Sequence, residues 1–206
     1  MHPKQDPAPQ FSPKRAYLLL YNAISSLLWL HILLTVLTTK TPASTYTTLE
    51  PWTRWTQTLA VAEILHSAAG LTRAPVFTTF TQVFGRCVQV WTINYAFPEV
   101  TAPSWAYPSM LLAWSVADTV RYLYFVVMLA GLSIPDVLRW LRYSLFFVLY
   151  PIGIGSEWWM MYNAASTTTN VLVAGIFYFF LALYVPGSPM MYKYMVKQRA
   201  KTLSRP

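Results

Sequence analysis

The sequence has few of the residues that form disulfides, metal sites or cofactor sites. Its single cysteine, Cys87, excludes an internal disulfide in this chain of 206 residues. There is no HExxH, paired-cysteine or glycine-rich phosphate-binding motif, and the one Glu-x-x-His element, at Glu63 and His66, lacks the second element of a di-iron bundle. A cysteine phosphatase needs an arginine six positions after its cysteine, where this chain has Ile93. We therefore expect no metal and no cofactor.

Charged residues are also scarce. They make up 11% of the chain, whereas soluble domains carry about 25%, and 55% of the residues are hydrophobic. This composition is typical of a membrane protein, and six apolar segments have about the 20 residues that cross a hydrocarbon core. The sequence therefore predicts an all-α membrane protein with six transmembrane helices, at 16–38, 56–72, 76–97, 110–132, 143–162 and 170–187.

The basic residues are unevenly distributed over this arrangement. If both termini are cytosolic, that side holds most of the 15 lysines and arginines, and the opposite loops hold only Lys40 and Arg54. This bias follows the positive-inside rule and predicts cytosolic termini. We expect a disordered tail at 1–15, a six-helix transmembrane domain at 16–187 and a basic tail at 188–206. Orientation and attraction to anionic membrane lipids explain the net charge of +8, with no nucleic acid as partner.

Five acidic and basic residues (Asp, Glu, Lys or Arg) lie inside the predicted spans, where such residues are energetically costly and usually functional: Glu63, Arg86, Asp118, Arg121 and Glu157. Their helical positions place them in the middle and far half of the membrane, which predicts one shared polar site. Asp118 and Arg121, three residues apart, are expected to form a structural ion pair. Two interpretations of Arg86 stay open: it pairs with Glu63, or it polarises a substrate carbonyl. Pairing two arginines with three carboxyl groups leaves one carboxyl over.

The segment from Tyr150 to Glu157 is the most informative part of the chain. Its end residues are seven positions apart, so an unbroken helix would place them on one face. Pro151 removes a backbone donor and, with two nearby glycines, predicts a kink. A phenol and a carboxyl in a dry site can move protons, which indicates a membrane enzyme. Another interpretation places Glu157 at the far interface, inert beside Trp158 and Trp159.

Three blocks of the sequence resemble the membrane very-long-chain (3R)-3-hydroxyacyl-CoA dehydratases, a family once called protein-tyrosine-phosphatase-like (PTPLA). They lie at 141–157, at 62–75 together with 82–87, and at 114–122. The resemblance implies a six-span enzyme of the endoplasmic reticulum membrane, a lyase of fatty acid elongation. It would remove water from a long-chain 3-hydroxyacyl-CoA to give a trans-2-enoyl-CoA, without a cofactor. Expected partners are the condensing enzyme and the ketoacyl-CoA and enoyl-CoA reductases.

The resemblance also implies roles for individual residues. The catalytic pair would be Tyr150 and Glu157, and the supporting residues would be Glu63, Gln82, Arg86 and Gly153. Elimination of water needs a base for the C2 proton and an acid for the C3 hydroxyl group. Our assignment makes Glu157 the base and Tyr150 the acid, and the reverse assignment stays open. Arg86 or Gln82 would hold the thioester oxygen.

Two arginines on the cytosolic side, Arg139 and Arg142, are candidates to contact the CoA phosphates. In the plainer interpretation they only set the membrane orientation. Two other functions stay open from the residues alone. A transporter or proton relay also uses ionisable residues on broken helices, although the internal repeats that favour transport are absent from the sequence. A non-catalytic acyl-CoA-binding scaffold of the elongation complex would have no need for both Tyr150 and Glu157.

Overall fold

The computed structural model describes residues 12–203, so most of the predicted disordered tail at 1–15 and the end of the basic tail lie outside the described residues. Within 12–203 the regular structure is entirely helical, with nine α-helices and one π-helix. In chain order they are α1 Pro13–Thr38, α2 Pro42–Leu59, α3 Val61–Ala68, α4 Val76–Val88, the π-helix Gln89–Tyr95, α5 Pro98–Thr101, α6 Ala106–Ala130, α7 Asp136–Ser144, α8 Phe146–Thr167 and α9 Val171–Leu203.

Four stretches are long and apolar enough to cross a membrane, which agrees with a membrane protein: Pro13–Thr38, Ala106–Ala130, Asp136–Thr167 and Val171–Leu203. The other two predicted segments are helical but interrupted. One is divided at Ala60, where α2 ends and α3 follows, and the other changes from α4 to the π-helix at Gln89. These interruptions leave the apolar part of each segment in shorter helices.

Helix α2, which overlaps the start of the predicted segment at 56–72, begins at Pro42 and therefore earlier than hydropathy indicates. Thr41 accepts a hydrogen bond from the Ser44 backbone, and the Ser44 side chain accepts one from the Thr41 backbone, which forms a capping box. Pro42 at the first helical position has the fixed φ that a helix start requires. Strong capping therefore starts α2 within a polar stretch that contains Glu50 and Arg54 and that hydropathy does not detect.

α6 lies at the centre of the bundle and packs against α1 on one side and α8 on another, and α9 packs against α8. The core between α1 and α6 includes Trp29, Ile32 and Met110, which are almost fully buried. Pro151 lies inside α8, which stays helical from Phe146 to Thr167, and the interruption between α7 and α8 lies at Leu145, six residues before the proline.

One end of the bundle, here called the basic end, joins the start of α1 to the loop after α3 and to the end of α6. Lys14 Nζ donates to the Gly70 carbonyl after α3 at 3.3 Å, and Arg15 Nε donates to the Leu129 carbonyl at the end of α6 at 2.5 Å. Near the end of α9, Arg199 Nε donates to Ser144 Oγ at 3.1 Å. The loops at 69–75 and 131–135 therefore lie at the same end as the start of α1, and the last turns of α9 lie beside the end of α7.

Candidate active site

Glu157 is the buried carboxyl at the centre of the site, with 8% of its surface exposed. Trp114 Nε1 on α6 donates to its Oε1 at 2.8 Å, and the Tyr184 hydroxyl on α9 donates to its Oε2 at 2.9 Å. Both donors are neutral, and within residues 12–203 no cation lies within salt-bridge distance of this carboxyl. The neighbouring Trp158 and Trp159 are 37% and 52% exposed, so Glu157 is buried where these two side chains are not.

Tyr150 lies on the same helix as Glu157 and faces the same neighbour, α9. Its hydroxyl donates to the Ser188 carbonyl at 3.2 Å, and its ring lies 6.2 Å from that of Tyr192. Glu157 contacts α9 through Tyr184, one helical turn from Ser188. Both residues therefore lie on the face of α8 that packs against α9, with their Cα atoms about 10 Å apart along the helix axis.

Four charged residues form a continuous network beside this site. Arg86 Nη1 lies 2.6 Å from Asp118 Oδ2, and Arg121 Nε lies 3.0 Å from Asp118 Oδ1. Arg121 also binds both oxygens of Glu63, with Nη1 to Oε2 at 2.9 Å and Nη2 to Oε1 at 3.3 Å. The network contains two cations and two anions, so it is neutral by itself. Of the three carboxyl groups counted in the sequence, the one left without a cation is Glu157.

The ion pairs of Arg86 and Arg121 differ from one of the two interpretations that the sequence left open for Arg86. That interpretation pairs Arg86 with Glu63, whereas the structure pairs Arg86 with Asp118 and Glu63 with Arg121. Asp118 lies between the two guanidinium groups and forms an ion pair with each, because Arg121 follows it by three residues on α6 and Arg86 reaches it from α4.

Glu63 has two further hydrogen-bond donors. The hydroxyls of Tyr122 and Tyr21 both donate to its Oε1, the second at 3.4 Å. One helical turn further along α3, His66 Nε2 lies 2.8 Å from the Tyr17 hydroxyl, and the His66 ring packs edge-on against Tyr21. His66 is thus a buried, hydrogen-bonded packing residue. In the described part of the chain, no three His, Cys, Asp or Glu side chains are grouped as a metal site requires.

Trp114 connects the charge network with Glu157. The Arg86 guanidinium lies over its ring, with Cζ 3.9 Å from the centroid, and the indole N–H points to Glu157. Gly153 on α8 faces the same ring: a Cβ at this position would lie 3.7 Å from Trp114 Cδ1 and Nε1. Two nitrogens of Arg86, Nε and Nη2, are buried and have no hydrogen-bond partner among residues 12–203. They are available to bind an oxygen atom.

The other predicted site residues lie nearer the basic end. Gln82 is exposed, and its Nε2 contacts Met191 Sδ at 3.7 Å, away from Glu157. Arg142 is half-buried, with its guanidinium 4.8 Å from the ring of Tyr124 and 4.6 Å from that of Phe125. Arg139 Nη1 lies 3.6 Å from Asp136 Oδ1 on the first turn of α7.

Sequence reasoning did not identify Trp114 and Tyr184 as partners of Glu157. Trp114 lies in one of the blocks that resemble the dehydratases, but nothing in that block indicates its partner. Tyr184 lies in an apolar segment of the last predicted span, where a tyrosine is unremarkable. Their roles depend on how α6 and α9 are rotated against α8, which a single sequence does not encode in a readable pattern.

Comparisons with known proteins identify relatives over most of the chain. A family model described as protein tyrosine phosphatase-like protein, PTPLA, matches residues 57–205. A Schizosaccharomyces pombe protein named probable very-long-chain (3R)-3-hydroxyacyl-CoA dehydratase is 39% identical over 198 residues, which cover 93% of this chain and 95% of the relative. The Arabidopsis thaliana dehydratase PASTICCINO 2 is 37% identical over 210 residues, with the same coverage of both chains.

A human relative is more distant. Very-long-chain (3R)-3-hydroxyacyl-CoA dehydratase 2 is 30% identical over 208 residues, which cover 92% of this chain and 81% of the human protein. No solved structure matches the chain significantly.

Proposed function

This chain belongs to the protein tyrosine phosphatase-like family, PTPLA, and we propose that it is a very-long-chain (3R)-3-hydroxyacyl-CoA dehydratase, a hydro-lyase of fatty acid elongation. The observation that carries the proposal is the position of Glu157. A buried carboxyl with no cationic partner is costly in a membrane, and here it shares one helix face with a tyrosine hydroxyl. Such a pair supplies the base and the acid that dehydration needs.

The reaction is a balanced elimination. A base removes a proton from C2, the C2–H electrons form the C2=C3 double bond, and the C3–O bond breaks. An acid protonates the departing hydroxyl group, so that one water molecule leaves with trans-2-enoyl-CoA. Each of the two proton transfers is typically worth 10²–10⁴-fold in rate, and neither requires a redox or metal cofactor.

We assign the base to Glu157 and the acid to Tyr150. Glu157 accepts two hydrogen bonds, as an ionised carboxylate does, and each of its oxygens keeps a further lone pair. Tyr150 instead acts as a hydrogen-bond donor, to the Ser188 carbonyl. A substrate placed between α8 and α9 would present C2 to Glu157 and exchange the Ser188 carbonyl for its own C3 oxygen as the partner of Tyr150.

Arg86 is our candidate to stabilise the thioester oxygen. Loss of the C2 proton places negative charge on that oxygen, and a preorganised donor lowers the energy of this state. Arg86 is fixed by Asp118 and by the ring of Trp114, and its Nε and Nη2 groups have no partner in the described residues. Gln82 lies nearer the basic end, where it would border the pantetheine arm and not the reacting atoms.

The proposed membrane arrangement has six spans with both termini in the cytosol. The contact between Lys14 and Gly70 supports it, because it places the α3–α4 loop at the end where α1 starts. The α2–α3 pair and the α4–π pair would then each cross the membrane. The CoA phosphates would lie at the basic end against Arg139 and Arg142, and the acyl chain would enter the apolar interior.

We infer the location from the resemblance to dehydratases of the endoplasmic reticulum membrane, and the partners from the chemistry of the substrate. A 3-hydroxyacyl-CoA is supplied by reduction of a 3-ketoacyl-CoA, and an enoyl-CoA is consumed by a second reduction. We therefore place the protein in the endoplasmic reticulum membrane with a condensing enzyme, a ketoacyl-CoA reductase and an enoyl-CoA reductase.

The direct test is conversion of 3-hydroxypalmitoyl-CoA by the purified, detergent-solubilised protein, followed by mass spectrometry of the enoyl product. We expect formation of trans-2-hexadecenoyl-CoA without an added cofactor, and preference for the (3R) over the (3S) substrate. Binding of the substrate without turnover would instead identify a scaffold. Absence of both binding and turnover would contradict any role that uses acyl-CoA.

A further inference from the structure

Trp114 is the residue through which the charge network reaches the base. We propose that Trp114, together with Tyr184, is a positioning residue that fixes the Glu157 carboxylate, and that the network Glu63–Arg121–Asp118–Arg86 acts on Glu157 through the Trp114 indole. This inference rests on the proposed dehydratase function, with Glu157 as the base. It assigns a role to two side chains that do not themselves contact the reacting atoms.

The Glu157 carboxylate is held from two different helices. Its two oxygens are bound separately, Oε1 by Trp114 from α6 at 2.8 Å and Oε2 by Tyr184 from α9 at 2.9 Å. One donor would leave the group free to rotate about its last torsion, whereas two donors on different helices fix its plane. The free lone pairs are then held in one direction, which a base must have before the substrate arrives.

The Trp114 indole is itself enclosed by its neighbours. The indole is only 6% exposed, and Arg86 Cζ lies 3.9 Å from its ring centroid, within the range of a cation–π contact. On the α8 side the neighbour is Gly153, where even a Cβ would come to 3.7 Å from the indole nitrogen. The ring is thus held by a cation and by a residue without a side chain, with its N–H directed at Glu157.

The charge network connects the Trp114 ring with Glu63 through a chain of ion pairs. Arg86 is held by Asp118 at 2.6 Å, Asp118 by Arg121 at 3.0 Å, and Arg121 by Glu63 at 2.9 Å. Glu63 contacts neither Tyr150 nor Glu157 in the described hydrogen bonds, yet each link fixes the next as far as the Trp114 ring. A polarised indole is also a stronger donor than an isolated one, because the cation over the ring withdraws electron density from the N–H.

The test uses conservative variants with matched controls. Trp114→Phe keeps a ring for Arg86 but removes the indole donor together with part of the ring volume, and Tyr184→Phe removes only a hydroxyl. Trp91→Phe is the control for the first, since the Trp91 indole also lies under an arginine, Arg54 at 4.7 Å, and also donates, to Thr58 at 3.0 Å. Tyr178→Phe is the control for the second, since it removes another α9 hydroxyl, 3.3 Å from Ser166.

We expect kcat to fall by about 10- to 100-fold in Trp114→Phe and in Tyr184→Phe, the scale of a hydrogen bond to a charged group, with KM little changed. Both controls should keep the wild-type kcat. In a Glu157→Gln background, Trp114→Phe should cause no further loss, because it acts only through the carboxylate. A merely structural role would reduce the residual rate again and would lower the unfolding temperature in both backgrounds.

Wild-type kcat in both Trp114→Phe and Tyr184→Phe would overturn the inference, and so would losses that add to that of Glu157→Gln. If Trp114→Phe does not fold, Tyr184→Phe decides the question alone. Failure of the dehydratase proposal has a different signature, since the wild-type protein itself would then form no enoyl-CoA.

Discussion

Tyr150 and Glu157 both hydrogen bond to α9, at Ser188 and at Tyr184, which are one helical turn apart. The two groups of the proposed pair therefore open onto the same interface, although they do not touch each other. In the proposed function, a substrate that enters between α8 and α9 would meet both groups. The position of α9 is thus part of the site.

Replacing Gly153 should damage the site through Trp114. A Cβ at this position makes ordinary contact with the indole at 3.7 Å, but a larger side chain must displace the ring and break its bond to Glu157. We expect Gly153→Leu to lower kcat by at least about tenfold, the loss of one charged hydrogen bond. Gly155→Leu is the control, because its Cβ would have no heavy atom within 4 Å. Equal activity of the two variants in the dehydration assay would contradict this packing.

Removing the charge of Glu63 should destabilise the bundle. Arg121 would lose its bidentate partner, and two tyrosine hydroxyls would lose a charged acceptor. Because the Arg121 side chain is 30% exposed, we expect Glu63→Gln to cost about 1–3 kcal/mol and not the full cost of breaking a buried pair. Thermal unfolding in detergent measures this. Asp136→Asn, which affects an exposed pair, should unfold close to wild type, and an equally large shift in that variant would refute the assignment.

Arg142→Gln should weaken binding of the CoA part of the substrate. We expect KM for 3-hydroxypalmitoyl-CoA to rise and kcat to change little, and the salt dependence of KM to become shallower because a phosphate contact is lost. Lys40→Gln, in the loop at the opposite end, serves as the control.

A phosphate-free pantetheine thioester of the same acid separates a phosphate contact from a general loss of structure. Wild type and Arg142→Gln should process this substrate equally well. If the variant is impaired with it to the same degree as with the CoA ester, Arg142 supports the fold through its packing on Tyr124 and Phe125 and does not bind phosphate.

The α3–α4 loop distinguishes six spans from four. In the six-span arrangement Thr72 is cytosolic, whereas it would be on the far side or within the membrane if the segments at 42–95 do not cross. With Cys87 replaced by serine, a cysteine at Thr72 should react with an impermeant maleimide added from the cytosolic side of sealed microsomes. A cysteine at Thr168 should react only after the membrane is opened. Protection of position 72 from the cytosolic reagent would contradict the six-span arrangement.

Several parts of this account could be read from the sequence, for physical reasons. Length and apolarity locate helices well, so all six apolar segments are helical in the structure. The Asp118–Arg121 contact follows from their spacing on one helix, and the shared face of Tyr150 and Glu157 follows from a separation of seven residues. The polar start of α2 was missed because capping by Thr41 and Ser44, and not hydropathy, begins that helix.

Contacts between helices could not be predicted in the same way. Whether Glu63 meets Arg86 or Arg121, and whether Glu157 meets Trp114, depends on helix rotation and on the approach that Gly153 permits. Side chains at the same depth in neighbouring helices are equivalent in a single sequence, and only packing selects among them.

The central claim is that Tyr150 and Glu157 carry out the elimination. It is tested most directly by the kcat of purified wild type, Tyr150→Phe and Glu157→Gln on 3-hydroxypalmitoyl-CoA, with substrate binding and thermal unfolding measured on the same samples. We predict a loss of about 10²–10⁴-fold in each variant, because each acid–base role is worth that much, with binding and unfolding temperature retained. Turnover at the wild-type rate in either folded variant would contradict the account.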